Sequence, residues 1–205
     1  MPEYLPLFPL DVVLFPEMVL PLHIFEERYK EMIAECLQDN SPFGVLYAHD
    51  DKVAMIGCTA EISQVLKQYP DGRLDLVAVG RKRFQVGFFD SEKTYLRASV
   101  ELLPDSVGAQ EPSENLVRQA LDLYAQASRL MGNPEEFSPE SSLQGLAFKL
   151  ASSLHLQNEV RQRILEARSG GQRLEELAEH LSALIPRLSD RQESAKRAGS
   201  NGRIH

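Results

Sequence analysis

The stretch that decides the fold is LPLFPLDVVLFPEMVLPLHIFEERYKEM, from Leu5 to Met32. Four prolines interrupt its short apolar pieces, and an amphipathic segment follows directly. Because proline has no backbone N–H, it confines strands to short pieces, edges and corners. The stretch therefore predicts a small, strongly bent sheet that leads into a helix, and its first strand is predicted over Leu10–Phe15.

The rest of the first half continues this pattern of short strands. Its inserted helix is marked by apolar residues at helical spacing: Phe25, Tyr29, Met32, Ile33 and Cys36. Strands are predicted over 43–48, 53–56, 59–69, 74–79, 84–89 and 95–102, with a turn at Pro70-Asp71-Gly72. Many short strands with one inserted helix are typical of a partly closed barrel.

The second half is helical in pattern. A linker at Pro104–Pro112 precedes four apolar stripes at helical spacing, with a helix start at Ser138, another at Asn158 and a break at Gly170-Gly171. The last stripe ends at Leu188. The fold class is therefore α+β. We predict a β-barrel subdomain over residues 1–104, a helical bundle subdomain over 105–189, and a flexible tail over 190–205.

Charge and composition exclude several classes of function. The formal net charge is -8, and residues 1–104 carry 10 Lys+Arg against 16 Asp+Glu. Nucleic acid and anionic membranes are therefore disfavoured as partners. No secretory signal or membrane-spanning run is present, so a cytoplasmic location is expected. Two separate cysteines, Cys36 and Cys58, are predicted to be reduced and buried.

Four stretches in order resemble a known family. The run quoted above, GCTAEI (57–62), the Asp71-Gly72 turn and VGRKRFQV (79–86) are similar to the N-terminal, substrate-binding domain of Lon-type ATP-dependent proteases. A weaker match, LAFKLASSLHLQNEVRQRILEARSGGQRLEELAEHL (146–181), resembles the helical part of that domain. The resemblance implies a PUA-like pseudo-barrel with one inserted helix, followed by the helical subdomain.

The resemblance also implies a function. Its members recognise protein substrates, so we expect a non-catalytic module that binds unfolded or extended protein segments in quality control, with a separate protease or chaperone as a further partner. The sequence has no GxxxxGK[ST] phosphate loop and no counterpart of the Ser-Lys dyad. A stand-alone bacterial member without ATPase or protease modules, and without a cofactor, is therefore expected. The sequence leaves its oligomeric state undetermined.

Phe15, Met18, Phe25 and Arg28 are the candidate peptide-binding residues. Phe15 and Met18 flank a proline-broken turn, and methionine adapts to varied apolar partners. The alternative is that both fill the core. Arg28 matches a characteristic position of the family, but a structural ion pair explains it equally well.

Arg81, Lys82 and Arg83 form a candidate basic patch. They could line an RNA- or acidic-peptide-binding strand, which makes an RNA-binding PUA-like module the alternative function. They could also form a solvated turn in which one arginine pairs with a carboxylate. A small hydrolase is a further alternative, although no GxSxG motif marks a nucleophile. The five scattered histidines show no metal-binding spacing.

Overall fold

The computed structural model describes residues 4–104, 111–132 and 143–201. By their contacts, the residues fall into two compact units. The first comprises Met1–Val107 and Gln157–Glu166, and the second comprises Gly108–Leu156 and Ala167–His205.

The first unit is built on strands that close a ring. The strands are β1 (Leu5–Leu10), β2 (Val19–Ile24), β3 (Phe43–His49), β4 (Lys52–Val53), β5 (Ile56–Gln68), β6 (Leu74–Asp90) and β7 (Arg97–Leu102), with helix α1 (Glu27–Asp39) between β2 and β3. The pairing order β1-β7-β6-β5-β3 returns to β1 through a parallel β1–β3 pair. Strand β2 pairs with β6 outside this ring. The predicted near-barrel with one inserted helix agrees with this arrangement, and the PUA-like detail stays a prediction.

The first strand lies earlier than the sequence predicted. Residues Leu5–Leu10 form β1, which pairs in parallel with β3, whereas residues 11–15 leave the ladder. The prediction over Leu10–Phe15 was wrong because it treated Pro6 and Pro9 as strand breakers. A proline removes one donor but leaves its carbonyl and its neighbours free to pair. The distant partner strand therefore decides where β1 lies.

Strand β6 is one continuous element where two strands were predicted. It runs for 17 residues and pairs with β2 in its first part and with β7 in its last part. Gly80 lies between these parts, and a Cβ built on it would stand 2.1 Å from the carbonyl oxygen of Phe15. Glycine is needed here because the loop before β2 approaches the β6 backbone closely.

Helix α1 covers one side of the sheet with the predicted stripe. Tyr29, Met32, Ile33 and Cys36 are buried, as their spacing predicted. Asn40 ends the helix in a left-handed conformation with a φ of 47°, which asparagine tolerates better than most residues. Phe25 precedes the helix and is 59% exposed, so it is not part of the buried stripe.

In the described ranges, four α-helices follow the strands. They are α2 (Glu114–Leu130), α3 (Leu146–Ser153), α4 (Asn158–Glu166) and α5 (Gly170–Asn201). Ser113 caps α2 by accepting a hydrogen bond from the Leu116 amide. The predicted helix start at Ser138 lies outside the described residues. In the second unit α2 and α3 are joined by a hydrogen bond of 2.8 Å between the Tyr124 and Ser153 hydroxyls.

Helix α4 belongs to the first unit, although the sequence assigned it to the helical subdomain. Arg161 donates to the Val13 carbonyl at 3.1 Å, and Gln162 donates to the Ile56 carbonyl at 3.0 Å. Arg83 in turn donates to the Leu165 carbonyl of α4 at 2.8 Å. This short helix buries long polar side chains, and backbone carbonyls of the first unit accept hydrogen bonds from two of them. Apolar spacing alone could not reveal that preference.

The predicted tail is helical over most of its length. Helix α5 continues to Asn201, past the predicted boundary at residue 190. Gln192 donates to the Leu130 carbonyl at 2.9 Å, which satisfies a carbonyl in the last turn of α2. The low apolar content of this segment predicted a flexible tail. The contact with α2 is made instead by a polar side chain, the Gln192 amide, which apolar content does not report. In the described ranges, no helix is long and apolar enough to cross a bilayer.

Both thiols are free and buried, which makes their reactivity predictable. Burial is the main cause that raises the pKa of Cys36 to about 11 and the pKa of Cys58 to about 12. The thiolate is the reactive form, so its fraction falls as the pKa rises above the working pH. We expect alkylation of the folded protein by iodoacetamide at pH 8 to be on the order of 100-fold slower than in denaturant. Mass spectrometry of timed samples measures this, and rapid labelling of the native protein would contradict the burial.

Candidate functional site: one face of a three-stranded sheet

Among the described residues, three neighbouring strands leave one side of their sheet uncovered, and two of them, β5 and β6, also belong to the ring. Strand β2, the first part of β6 and the last part of β5 lie side by side. Their inward residues join the core that α1 covers, including Leu20, Ile24, Leu76 and Ala78. Side chains alternate along a strand, so the remaining residues project from the opposite side. We call this side the outer face; its members are Val19, Pro21, His23, Phe25, Glu61, Gln64, Lys67, Tyr69, Asp75, Val77 and Val79.

One end of the outer face is apolar. Val19 lies opposite Val79, and Pro21 lies opposite Val77 in the antiparallel register. Side chains of opposite residues stand about 5 Å apart at Cβ, so these four form a continuous patch. Val19 is 58% exposed, although it belongs to a well-formed strand. The patch therefore offers apolar surface held in place by the sheet beneath it.

The other end combines aromatic rings with a hydrogen-bonded carboxylate. His23 Nδ1 lies 2.5 Å from one oxygen of Asp75, and the Tyr69 hydroxyl donates to the other at 2.8 Å. The hydrogen bond from His23, followed by that from Tyr69, lowers the pKa of Asp75. The His23 ring stacks beside Phe25 with centroids 6.0 Å apart. The cluster fixes the ring positions next to the exposed Phe25.

Two cations flank the Tyr69 ring at this end. The Lys67 ammonium lies 4.3 Å from the ring centroid, and the Arg73 guanidinium lies 4.9 Å from it. Arg73 also pairs with Asp71 at 2.8 Å. Such cation–π contacts hold long basic side chains at the surface. The outer face therefore has an aliphatic end and an aromatic end, and positively charged side chains lie beside the aromatic end.

The four predicted peptide-binding residues do not form one surface. Phe15 has no exposed surface and lies in the core. Met18 is half-buried, and its sulfur lies 3.1 Å from Arg161 of α4. Phe25 is exposed on the outer face. Arg28 is also exposed, but it pairs with Glu26 at 2.8 Å and lies over the Tyr29 ring.

The predicted basic triplet is likewise separated. Arg81 pairs with Glu61 at 2.8 Å and with Glu17 at 3.6 Å. Lys82 is exposed, whereas Arg83 is buried beneath α4. These residues therefore do not present three exposed positive charges together. Among the described residues, no group of three or more His, Cys, Asp or Glu side chains could hold a metal ion.

Sequence reasoning missed most of the outer face. Val19, Pro21 and His23 belong to β2, and Tyr69, Asp75 and Val77 come from the β5–β6 hairpin. A signal was present in VLPLHIF, residues 19–25, where both alternating sets contain apolar residues. One set must face solvent in a sheet covered on one side only. Which residues meet across strands could not be predicted without the register.

Comparison with known proteins gives a single family. The family model described as the ATP-dependent protease La (LON) substrate-binding domain matches residues 4–183. The Lon protease of Endomicrobium trichonymphae is 29% identical over 201 residues, which cover 90% of this chain and 25% of the relative. The Lon protease of Lawsonia intracellularis is 30% identical over 199 residues, which cover 88% of this chain and 24% of the relative. The chain therefore spans about a quarter of the length of these relatives.

Solved structures show the same fold. The Lon N-terminal domain protein from Xanthomonas campestris matches with a TM-score of 0.67 and 28% identity, covering 85% of this chain and 96% of that one. The N-terminal domain of Mycobacterium avium complex Lon protease matches with a TM-score of 0.63 and 18% identity, covering 88% and 98%. The second comparison supports the fold alone, because its sequence identity is low.

Proposed function

Because this chain belongs to the Lon substrate-binding domain family, we propose that it binds exposed apolar segments of other proteins through the outer face. The observation that carries the proposal is the exposure of Phe25 and Val19 on a face whose reverse side is a packed core. Single exposed apolar residues are ordinary on protein surfaces. A contiguous apolar patch with a polar edge is typical of an interaction site.

The sheet gives this face a fixed shape before any client binds. Leu20, Ile24 and Leu76 anchor its strands to α1 from below. The cost of ordering the receptor on binding is therefore small, which favours affinity. An unfolded client, in contrast, exposes apolar side chains to water. Burial of these side chains against Val19, Val77 and Phe25 drives association.

In this proposal the module is a receptor and not a catalyst. The family is defined by substrate binding, and the matched relatives continue far beyond the region that this chain covers. We propose a role in protein quality control in the bacterial cytoplasm, where a separate protease or chaperone acts on the bound client. Binding through apolar contacts needs no cofactor. Stand-alone action without ATPase or protease modules is part of the same proposal.

The test replaces exposed residues of the outer face. We expect the double variant Val19→Ser with Phe25→Ser to bind a reduced, carboxymethylated model protein at least about tenfold more weakly, since two large apolar contacts are lost. Thermal stability should change little, because both side chains are exposed in the folded protein. Fluorescence anisotropy with labelled client, beside a melting curve, measures both quantities.

Phe88 supplies a matched control. It is 81% exposed on the last part of β6, beyond the segment that pairs with β2. Phe88→Ser should therefore leave client binding unchanged. Equal losses from Phe88→Ser and from the double variant would show general apolar adhesion instead of binding at the outer face. Unchanged binding in the double variant would contradict the proposed site.

A further inference from the structure

The outer face is bordered by two strand edges that are poorly suited to pairing with a client. Resting on the proposed function, we propose that this face binds extended segments through side chains alone. The preferred segment carries apolar residues followed by an acidic one, and its backbone amides stay unused. This mode differs from strand addition, in which a peptide extends the sheet through backbone hydrogen bonds.

The β2 edge lacks a donor at its centre. Gly80 donates to the Met18 carbonyl and accepts from the Glu17 amide, so its backbone groups point towards β2. Pairing groups alternate along antiparallel strands. Leu20 and Leu22 therefore turn their backbone groups towards β6, and Pro21 turns towards the open edge. Proline has no N–H to offer there, so a client strand could not form a continuous ladder.

The β5 edge is interrupted in a different way. Beyond Ala60, β5 pairs with β6 only, among the described strands. Its register shifts between Ile62 and Gln64 and again between Val65 and Lys67. The Ser63 hydroxyl donates across the first shift to the Val77 carbonyl at 3.0 Å. Such bulges bend an edge and break its spacing of donors and acceptors.

Charge on the outer face favours an acidic client residue. The Asp75 carboxylate is hydrogen-bonded to His23 and Tyr69, and the Glu61 carboxylate pairs with Arg81. Both carboxylates therefore already have partners within the protein. Within the described part of the chain, Lys67 makes no direct ion pair: its ammonium contacts the Tyr69 ring and acts on the opposite carboxylate, Asp75, only at longer range. A client carboxylate beside Lys67 would complete a pair at the rim, where charges chiefly direct partner choice and orientation.

The register also sets the spacing. Lys67 lies opposite Asp75, which lies opposite His23, whereas the Val19–Val79 pair lies four residues further along the strands. That separation is about 13 Å at ~3.3 Å per residue. A segment with apolar side chains over about four positions, ending in an acidic residue, matches this length.

The test uses one fluorescent peptide and its analogues. The parent is an eight-residue extended peptide with four apolar residues and a terminal Asp, and two analogues replace alternate backbone amides by esters. An ester removes the N–H donor without adding bulk. We expect both ester analogues to bind wild-type protein within about threefold of the parent, whereas strand addition would weaken at least one of them by about tenfold or more. The second result would overturn the proposal.

A charge exchange tests the acidic preference. Replacing the peptide Asp by Lys should weaken binding by about fivefold, and Lys67→Glu should reverse the preference, because a rim ion pair is worth a few-fold in affinity. Equal binding of both peptides to both proteins would contradict the proposed preference for an acidic residue beside Lys67. Failure of the parent peptide and of the unfolded model protein to bind would instead refute the proposed function itself.

Discussion

Replacing Gly80 or Gly57 with alanine should destabilise the first unit strongly. A Cβ on Gly80 would stand 2.1 Å from the Phe15 carbonyl oxygen, and one on Gly57 would stand 2.3 Å from the Val45 carbonyl oxygen. Both obstacles are backbone atoms, which cannot move by changing a rotamer. We expect each substitution to lower the free energy of unfolding by about 3 kcal/mol, at the upper end of overpacking effects. Urea denaturation followed by circular dichroism measures the change.

Gly171 provides the control for this prediction. It lies in the first turn of α5, and its nearest neighbour would be the Ser169 hydroxyl at 3.9 Å from the added Cβ. Alanine favours a helix over glycine by up to about 1 kcal/mol. Gly171→Ala should therefore be neutral or slightly stabilising. Normal stability of Gly80→Ala would mean that the loop before β2 can retreat from β6.

Truncating Phe15 should produce the second large effect. Its ring is fully buried, and the Arg161 guanidinium of α4 lies 4.7 Å from the ring centroid. Phe15→Ser removes the ring from the core and leaves Arg161 over a cavity. We expect a loss of about 3–5 kcal/mol in the free energy of unfolding. Thermal denaturation detects this readily.

A binding assay distinguishes a structural role of Phe15 from a role in client binding. At a temperature where Phe15→Ser remains folded, its affinity for the unfolded model protein should match that of the wild type. Phe25→Ser serves as the opposite control, because this exposed ring should matter for binding and little for stability. A Phe15→Ser variant that is stable but binds the client more weakly would contradict the structural role of Phe15. It would support the peptide-binding role that the sequence analysis considered.

Local sequence rules predicted those features that depend on neighbouring residues. The stripe from Tyr29 to Cys36 predicted the buried side of α1. The predicted Pro70-Asp71-Gly72 turn is present, with its glycine at a φ of 83°. Each of these features rests on backbone preferences within a few residues. The start of α4 at Asn158 was also predicted correctly.

Features that depend on distant partners could not be predicted in the same way. The position of β1 follows from its parallel pairing with β3, and the continuity of β6 follows from different partners on either side of Gly80. For the site, Phe25 was identified but its neighbours were not. His23, Tyr69 and Asp75 meet only because β2 and β5 flank β6. Arg83 seemed to belong to a basic patch, because nothing nearby in the sequence shows that α4 covers it.

The placement of α4 in the first unit has a consequence for protein synthesis. Its segment, residues 157–166, follows residue 107 by about fifty positions along the chain. A ribosome adds roughly 5–20 residues per second, so the nascent strands wait about 3–10 s for the helix whose Arg161 covers Phe15. During that interval the Phe15 ring lacks the guanidinium that contacts it at 4.7 Å in the finished protein. Under the proposed function, the nascent protein would itself present the kind of apolar segment that the finished protein binds.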